Sequence, residues 1–264
     1  MTEAAASTPE KPRSGALKHK FGGFFGQGDG ARPNKYRAFA YGDAPWYRAL
    51  WAEILITLIG SLPGALGLGL RRALYPSILG AAGHGTIFGR GVTLRHPHKI
   101  RLGERVVVDD NVVLDAKGKT NRGIEIGDGA FLGRNTILSC KDGDIVLGES
   151  VNVSTNCQLT SARRLEIGAF TVIGSFCYFV SGGQYNYESP VPFAKQDGTF
   201  DMRELLIGPN CWFGTHVTVT DKARIGEHCV LGAGAVVLGE IPPHSVAVGA
   251  PARVVKTLGG ASGR

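Results

Sequence analysis

The chain has 264 residues, of which 39 are glycine, 43% are hydrophobic and 19% are charged. Glycine at this level, without a Gly-X-Y period, excludes collagen and a helical bundle, because glycine destabilises helix interiors. The hydrophobic fraction excludes a chain that is disordered throughout. The composition therefore predicts a turn-rich, all-β protein, and its net charge of +7 favours an anionic partner. The sequence has no nucleic-acid-binding motif, so we expect phosphates or an acidic membrane surface instead.

Residues 1–35 are rich in Gly, Pro, Ser and Lys and predict a flexible tail. Their first part, MTEAAASTPEKPRSG, has no apolar stretch that could serve as a signal peptide, so we expect a cytoplasmic protein. The five cysteines include no C-x-x-C pair, and we expect no disulfide framework in a chain of this length.

Residues 36–85 are predicted to form a hydrophobic helical segment. Within it, residues 49–70 carry one charge, on Glu53, but Pro63 and four glycines interrupt this stretch. Arginines flank it on both sides, so a single membrane span is not favoured. Two interpretations stay open. A broken helix pair could lie in one leaflet, with the protein peripheral on the inner face of the membrane, or the helices could form a cap buried against a β-domain.

A repeat begins at about residue 86 and continues to residue 256. Within it an aliphatic residue followed by glycine recurs, and the pairs Ile207-Gly208 and Ile225-Gly226 are 18 residues apart. The intervals divide into hexads with an aliphatic residue in first place and a small residue in fifth place. Three hexads per coil predict a triangular, left-handed parallel β-helix, whose interior is filled by the aliphatic side chains. Glycine or asparagine permits its tight turns.

The aliphatic-glycine pairs Ile167-Gly168 and Ile207-Gly208 are 40 residues apart, and the interval between them contains an insertion at about 181–205. A loop of this length in a regular solenoid predicts a functional segment that folds over the groove between neighbouring prisms. After the repeat, residues 257–264 form a C-terminal tail.

Four of the five cysteines occupy the small fifth place of a hexad: Cys157, Cys177, Cys211 and Cys229. This position predicts small apolar residues that fill the interior of the prism. The alternative is a metal site or a catalytic thiol.

The closing part of the repeat carries the most specific motifs, Ile207-Gly208-Pro-Asn-Cys-Trp-Phe-Gly-Thr-His and Gly249-Ala-Pro-Ala-Arg253. With the hexads, it resembles the hexapeptide-repeat acyltransferases over about residues 88–256, most closely the galactoside, maltose and polysaccharide O-acetyltransferases. The resemblance implies a homotrimer and acetyl-CoA as donor, with no metal. The acceptor it implies is a sugar hydroxyl of a glycan or lipid-linked saccharide, attacking the thioester with a histidine as general base.

The resemblance also assigns the residues of the donor side. By position, Thr215 and Ala233 would line the groove that holds the pantetheine arm, through backbone contacts. Arg253 and Lys256 would meet the phosphates of the nucleotide. The alternative for both basic residues is ordinary solvated surface near the end of the repeat.

The acceptor side departs from the family pattern. Ser154 stands where the sugar acetyltransferases place a substrate-binding asparagine, and Ser161 stands near their acidic residue. The position of the family's catalytic histidine is occupied by Gln184, whose amide cannot take a proton at neutral pH and is kept as a substrate contact. His216 is the first candidate for the missing base, and Tyr185 is the second.

Two other functions stay open. Because of Gln184, the chain could be a catalytically silent trimeric β-helix that binds or acts as a scaffold. It could also be a metal-dependent hydratase on the same fold, since His96 and His98, two residues apart, could lie on one side of a strand.

Overall fold

The structure, a computed structural model, describes residues 33–183, 185–196 and 203–259. Gln184, most of the predicted N-terminal tail and part of the predicted insertion lie outside the described residues. The described part of the chain is dominated by short parallel strands wound into coils.

The strands of the first four coils follow one another at regular intervals. They are β1 (Ala81–Ala82), β2 (Ile87–Phe88), β3 (Thr93–Arg95), β4 (Ile100–Leu102), β5 (Val107–Val108), β6 (Val113–Asp115), β7 (Ile124–Ile126), β8 (Phe131–Leu132), β9 (Ile137–Cys140), β10 (Asp144–Leu147), β11 (Asn152–Val153) and β12 (Gln158–Ser161).

The later coils continue this order to the end of the repeat. Their strands are β13 (Arg164–Ile167), β14 (Val172–Ile173), β15 (Tyr178–Ser181), β16 (Leu205–Ile207), β17 (Trp212–Phe213), β18 (Thr218–Val219), β19 (Arg224–Ile225), β20 (Val230–Leu231), β21 (Val236–Val237), β22 (Glu240–Ile241), β23 (Ser245–Val248) and β24 (Arg253–Thr257).

Every third strand belongs to the same sheet, so the coil has three faces. Face A runs from β1 to β22, face B from β2 to β23, and face C from β3 to β21. Each strand of these faces pairs in parallel with its equivalent one coil later, and β24 alone is antiparallel, added to β23 at the end of face B. The described residues thus confirm the predicted all-β class and parallel β-helix, with about eight coils.

The aliphatic residues of the repeat stack directly above one another inside the prism. On face A, Ile167 is in register with Ile207, and Ile207 with Ile225. All three are buried. The glycine that follows each of them is needed for a close approach, because a Cβ at Gly208 would lie 2.6 Å from a backbone nitrogen of the next coil. The predicted repeat therefore fixes both the core and the turns.

Three helices precede the first coil: α1 (Pro33–Tyr41), α2 (Trp46–Ile59) and α3 (Gly64–Leu74). A 3-10 helix at Tyr75–Ser77 leads into β1, which begins five residues before the expected start of the repeat. Pro63 directly precedes α3 and separates it from α2. Among the described residues, no helix combines the length and apolar character that crossing a membrane requires.

A buried arginine ties the helices to the first coil. Arg71, on α3, is 2% exposed and has no hydrogen-bonded carboxylate. Its guanidinium donates to three backbone carbonyls: Ile59 at 3.0 Å, Leu62 at 2.7 Å and Phe88 at 3.0 Å. Since Ile59 and Leu62 lie at the end of α2 and Phe88 lies in β2, one side chain joins both helices to the β-helix.

The His-Pro-His motif holds α1 and the loop after it. His96 Nε2 lies 3.2 Å from the carbonyl oxygen of Ala38, and His98 Nε2 lies 3.0 Å from Asp43 Oδ1. The expectation that both histidines lie in a strand is wrong, because His96 has a left-handed φ of 51° and Pro97 starts a 3-10 helix. Burial lowers the pKa of both imidazoles, although Asp43 acts in the opposite direction on His98.

The insertion leaves the prism where β15 ends and returns at β16. The Ser181 hydroxyl donates to the carbonyl oxygens of Arg164 and Arg203 at 2.8 and 3.0 Å, which holds the two ends of the insertion together. Within the insertion, the Gln196 amide accepts from the Asn186 backbone N–H and donates to the Asn186 and Val191 carbonyls. These bonds give the segment 185–196 a defined local structure.

Candidate functional site

Several of the predicted site residues lie on one edge of the prism, where face B turns into face C. This edge, the B/C corner, carries Thr155-Asn156, Ser175-Phe176, Thr215-His216 and Ala233-Gly234 at equivalent positions of successive coils, and Ser154 directly precedes Thr155. Equivalent residues of adjacent coils are about 4.8 Å apart, the spacing of paired strands. The corner is therefore a straight ladder of exposed or half-buried residues.

Three hydroxyl groups form a cluster low on the B/C corner. Ser154 Oγ lies 2.8 Å from Ser175 Oγ, and Thr155 Oγ1 lies 3.2 Å from the same atom. All three residues are half-buried, so the cluster is open to solvent on one side. Ser154 was predicted as an acceptor contact, whereas the sequence analysis missed Thr155 and Ser175. Their signal is the register of the repeat, which brings Ser175 directly above the turn that carries Ser154.

His216 lies one coil above this cluster. Its backbone N–H donates to the carbonyl of Ser175 at 3.0 Å, and its imidazole stacks on the exposed ring of Phe176, with 5.1 Å between ring centroids and 11° between planes. Within the described part of the chain, the imidazole nitrogens have no hydrogen-bond partner. Stacking therefore holds the ring in place at an exposed position of the corner.

The predicted donor-side residues continue the ladder upward. Thr215 and Ala233 are exposed on the next two coils, and no large side chain stands between them on the corner. Above them, the Ala252 N–H donates to the carbonyl of Val236 at 2.8 Å, which fixes the start of β24 at the same corner. Arg253 follows and is exposed. The small residues of the corner thus lead to a cationic side chain.

Lys256 lies three residues after Arg253 on β24, opposite Val246 of β23. An extended strand rises about 3.3 Å per residue, so the two cationic side chains are about 10 Å apart along the strand. Both are exposed. They can therefore meet different phosphates of one extended ligand.

Two predicted site residues lie on the other edge of face C. Tyr185 follows β15 in the insertion, is 49% exposed and packs edge-to-face on Phe193, with 6.2 Å between centroids. Ser161 ends β12 and is fully buried, and its hydroxyl lacks a hydrogen-bond partner among the described residues. Face C separates both residues from His216 within one chain.

The cysteines are buried inside the prism and none forms a disulfide. Burial raises the pKa of Cys140, and it raises that of Cys211 to about 11. The thiols of Cys140 and Cys211 therefore stay protonated at neutral pH, whereas the hydrogen bond with Cys177 lowers the pKa of Cys157. Among the described residues there is no group of three His, Cys, Asp or Glu side chains that could hold a metal ion.

Residues 206–239, in the coils that carry this ladder, match the family described as bacterial transferase hexapeptide, with six repeats. The chain therefore contains a hexapeptide-repeat region in these coils. A Staphylococcus aureus (strain COL) protein named as an acetyltransferase is 40% identical to it over 116 residues, 44% of this chain and 56% of that protein. An Escherichia coli (strain K12) protein named as a lipopolysaccharide biosynthesis O-acetyl transferase is 31% identical over 119 residues, 43% of this chain and 61% of that protein.

This hexapeptide-repeat protein thus spans little more than half the length of these relatives. The solved structure of the polysialic acid O-acetyltransferase OatWY is 15% identical to it, with a TM-score of 0.51 over 70% of this chain and 90% of that one. This likeness shows that the two chains share a fold.

Proposed function

We propose that this hexapeptide-repeat protein is an acyl-CoA-dependent O-acetyltransferase that acts on a sugar hydroxyl. The observation that carries the proposal is the B/C corner, where an exposed imidazole, a cluster of hydroxyls and a series of small residues lie in one line below Arg253. The names of the relatives support acetyl transfer as the class of reaction.

His216 is the proposed general base. It takes the proton of the acceptor hydroxyl as that oxygen attacks the thioester carbonyl of acetyl-CoA. The tetrahedral intermediate then collapses, the carbon–sulfur bond breaks, and the imidazolium returns its proton to the departing thiolate. The stacking on Phe176 keeps the ring oriented through both steps, and the nearby hydroxyls of Ser154 and Ser175 can donate to the acceptor or to the oxyanion.

Acetyl-CoA is bound as a substrate along the ladder. The exposed turns of Thr215 and Ala233 have no bulky side chain, so the pantetheine arm can approach their backbone. Arg253 offers a planar guanidinium for a phosphate, and Lys256 offers a point charge farther along β24. Tyr185 remains the second candidate base, and Gln184 remains a candidate contact of the acceptor. Both residues belong to the insertion.

We propose that the active form is a homotrimer. The outward side chains of face B are mostly apolar. Val172, Trp212 and Val230 are in register, with Val172 45% and Trp212 59% exposed, and Phe131 lies on the other side of Asn152, the polar residue of this row. Face A instead carries charged residues such as Glu166 and Arg224. The apolar row of Val172, Trp212 and Val230 favours burial against other copies of the chain.

We propose that the acceptor is a glycan or a lipid-linked saccharide, acetylated on the cytoplasmic side of the membrane. The name of the E. coli relative supports a saccharide acceptor, and the apolar surface of the N-terminal helices supports a membrane-proximal one. A second candidate is a catalytically silent trimeric binding or scaffold protein, which is favoured by the amide at Gln184.

Two histidines at equivalent turns allow a matched test. His216→Asn removes the proposed base, and His228→Asn makes the same change at an exposed, left-handed turn on another corner. With acetyl-CoA and a panel of mono- and oligosaccharides, we expect His216→Asn to lower kcat about 10²–10⁴-fold, and His228→Asn to leave it near the parent value. Equal activity of both variants would refute His216 as the base.

Binding of CoA is measured separately, by the thermal shift of the full chain without acceptor. We expect a shift at millimolar CoA that Arg253→Gln reduces. The absence of any shift would refute the acyltransferase proposal. Acetyl transfer that arises only in a Gln184→His variant, from an inactive parent, would support the scaffold function instead.

A further inference from the structure

The side of α2 that faces away from the first coil is apolar over its whole length. We call it the outer face of α2, and its members are Trp46, Tyr47, Leu50, Trp51, Ile54 and Leu58, which are between 40% and 65% exposed. A soluble surface rarely exposes so many large apolar side chains side by side. This face therefore has a partner.

The opposite side of α2 is already used by the fold. Ala49, Ala52, Leu55 and Ile59 are buried there. Glu53 lies between the two sides and accepts a hydrogen bond from Tyr36 at 3.0 Å, whereas Arg48 lies in the exposed first turn of the helix. The helix is thus apolar all round, which is typical of a helix covered on both sides.

The charge of the helical segment identifies the partner as anionic. Residues 33–74 contain five basic and two acidic residues, a net charge of +3. Both acidic side chains are engaged, Asp43 with His98 and Glu53 with the tyrosines, whereas four of the five basic residues are exposed: Lys35, Arg37, Arg48 and Arg72. Two copies docked through this segment would each bring a net charge of +3, so self-association through it is disfavoured.

We propose that the outer face of α2 lies on an anionic lipid bilayer. The 14-residue helix is about 21 Å long, so it lies in the plane of the interface with its apolar side chains at the headgroup–acyl boundary. Trp46, Tyr47 and Trp51 supply the amphipathic rings that favour this depth. Trp51 keeps its polar atom satisfied, since Nε1 donates to Ser77 Oγ at 2.9 Å.

This surface adds a partner to the proposed function, and it depends on that function only for the identity of the acceptor. Its test needs neither acetyl-CoA nor a saccharide. Loss of vesicle binding would therefore leave the acyltransferase proposal standing, and loss of CoA binding would leave the membrane surface standing.

Vesicle co-sedimentation of the full chain tests the surface directly. We expect binding to phosphatidylcholine vesicles with about 30% phosphatidylglycerol, and much weaker binding to pure phosphatidylcholine. Leu50→Glu should lower the partition coefficient about tenfold, since it removes apolar area and adds a negative charge. Leu238→Glu is the matched control, because Leu238 is 55% exposed against 52% for Leu50 and lies on a distant coil. Its binding should equal that of the parent.

The tryptophans provide a second readout. The chain has three, so Trp212→Phe leaves only Trp46 and Trp51, both in α2. We expect their emission to shift to the blue when anionic vesicles are added. Equal binding of Leu50→Glu and the parent, no preference for the anionic lipid, or no spectral shift would overturn the inference. A smaller particle mass of Leu50→Glu in light scattering would also overturn it, because the face would then join copies of the chain.

Discussion

The attachment of the helices to the β-helix depends on one side chain, so Arg71→Met is an informative perturbation. It keeps an apolar chain of similar length and removes the three charge-assisted hydrogen bonds to carbonyls of α2 and β2. At about 1.5 kcal/mol each, these bonds contribute about 4.5 kcal/mol. Removing the guanidinium also removes the cost of its burial, about 1–2 kcal/mol, so the helices should lose about 3 kcal/mol of stabilising free energy.

This loss should be local. Coils of a solenoid contact only their neighbours, and the helices contact chiefly the first coil. In hydrogen-exchange mass spectrometry, we expect peptides within residues 46–74 to exchange about a hundredfold faster, the factor that corresponds to about 3 kcal/mol. Peptides from the coils around His216 should keep their protection.

Arg72→Met provides the matched control, because Arg72 is the next residue of the same helix and is exposed. It should leave the exchange of α2 and α3 unchanged. Two results would refute the reasoning. If Arg71→Met left residues 46–74 protected, the guanidinium bonds would not hold the helices. If it unprotected the whole chain together, the helices and coils would be one cooperative unit.

Gly208→Ala should lower the unfolding free energy by about 1–3 kcal/mol, because its Cβ would lie 2.6 Å from a backbone nitrogen of the next coil. Thermal melts measure this loss, and Gly239→Ala is the control because a Cβ at Gly239 meets open space. Trp212→Glu should dissociate the proposed trimer of about 84 kDa, three chains of 27.9 kDa, whereas Leu206→Glu on face A should leave it intact. An unchanged particle mass of Trp212→Glu in light scattering would contradict the proposed interface. The fold lowers the pKa of His96 from its ordinary value of 6.5, so the unfolded chain takes up a proton at this residue more readily than the folded chain. The contribution of His96 to stability is therefore complete above pH 6.5 and is lost as the pH falls below it. Melts from pH 7.5 to 5 should show this decline, and His96→Gln should flatten it.

The coils were predictable because their signal repeats. One aliphatic residue such as Ile207 says little, but Ile225 after 18 residues can only be stacked on it if three equal strands complete each coil. The contacts of the helices carry no such period. Arg71 bonds to Phe88, 17 residues away, and His96 to Ala38, 58 residues away. A contact between a helix and the β-helix does not recur along the chain, so the residue pattern of neither segment predicts it.

The site was predictable in part for the same reason. Thr215 and Ala233 follow from the period, since they occupy the same turn of consecutive coils, and the structure puts both on the B/C corner. Ser175 was missed, because a single serine has no meaning until the register places it beside Ser154. The role of Phe176 was also not predictable from the sequence, because the stacking of its ring on the imidazole of His216 is seen only in the structure.

The order of the coils also sets a height. The helices cover the first coil, and His216 stands at the corner of the sixth, so five steps of about 4.8 Å separate them, or about 24 Å. If α2 rests on a bilayer and His216 acts as the base, both as proposed, the number of coils between them sets how far the acceptor hydroxyl lies from α2. Deleting one coil would then shorten this separation by a single step of about 4.8 Å.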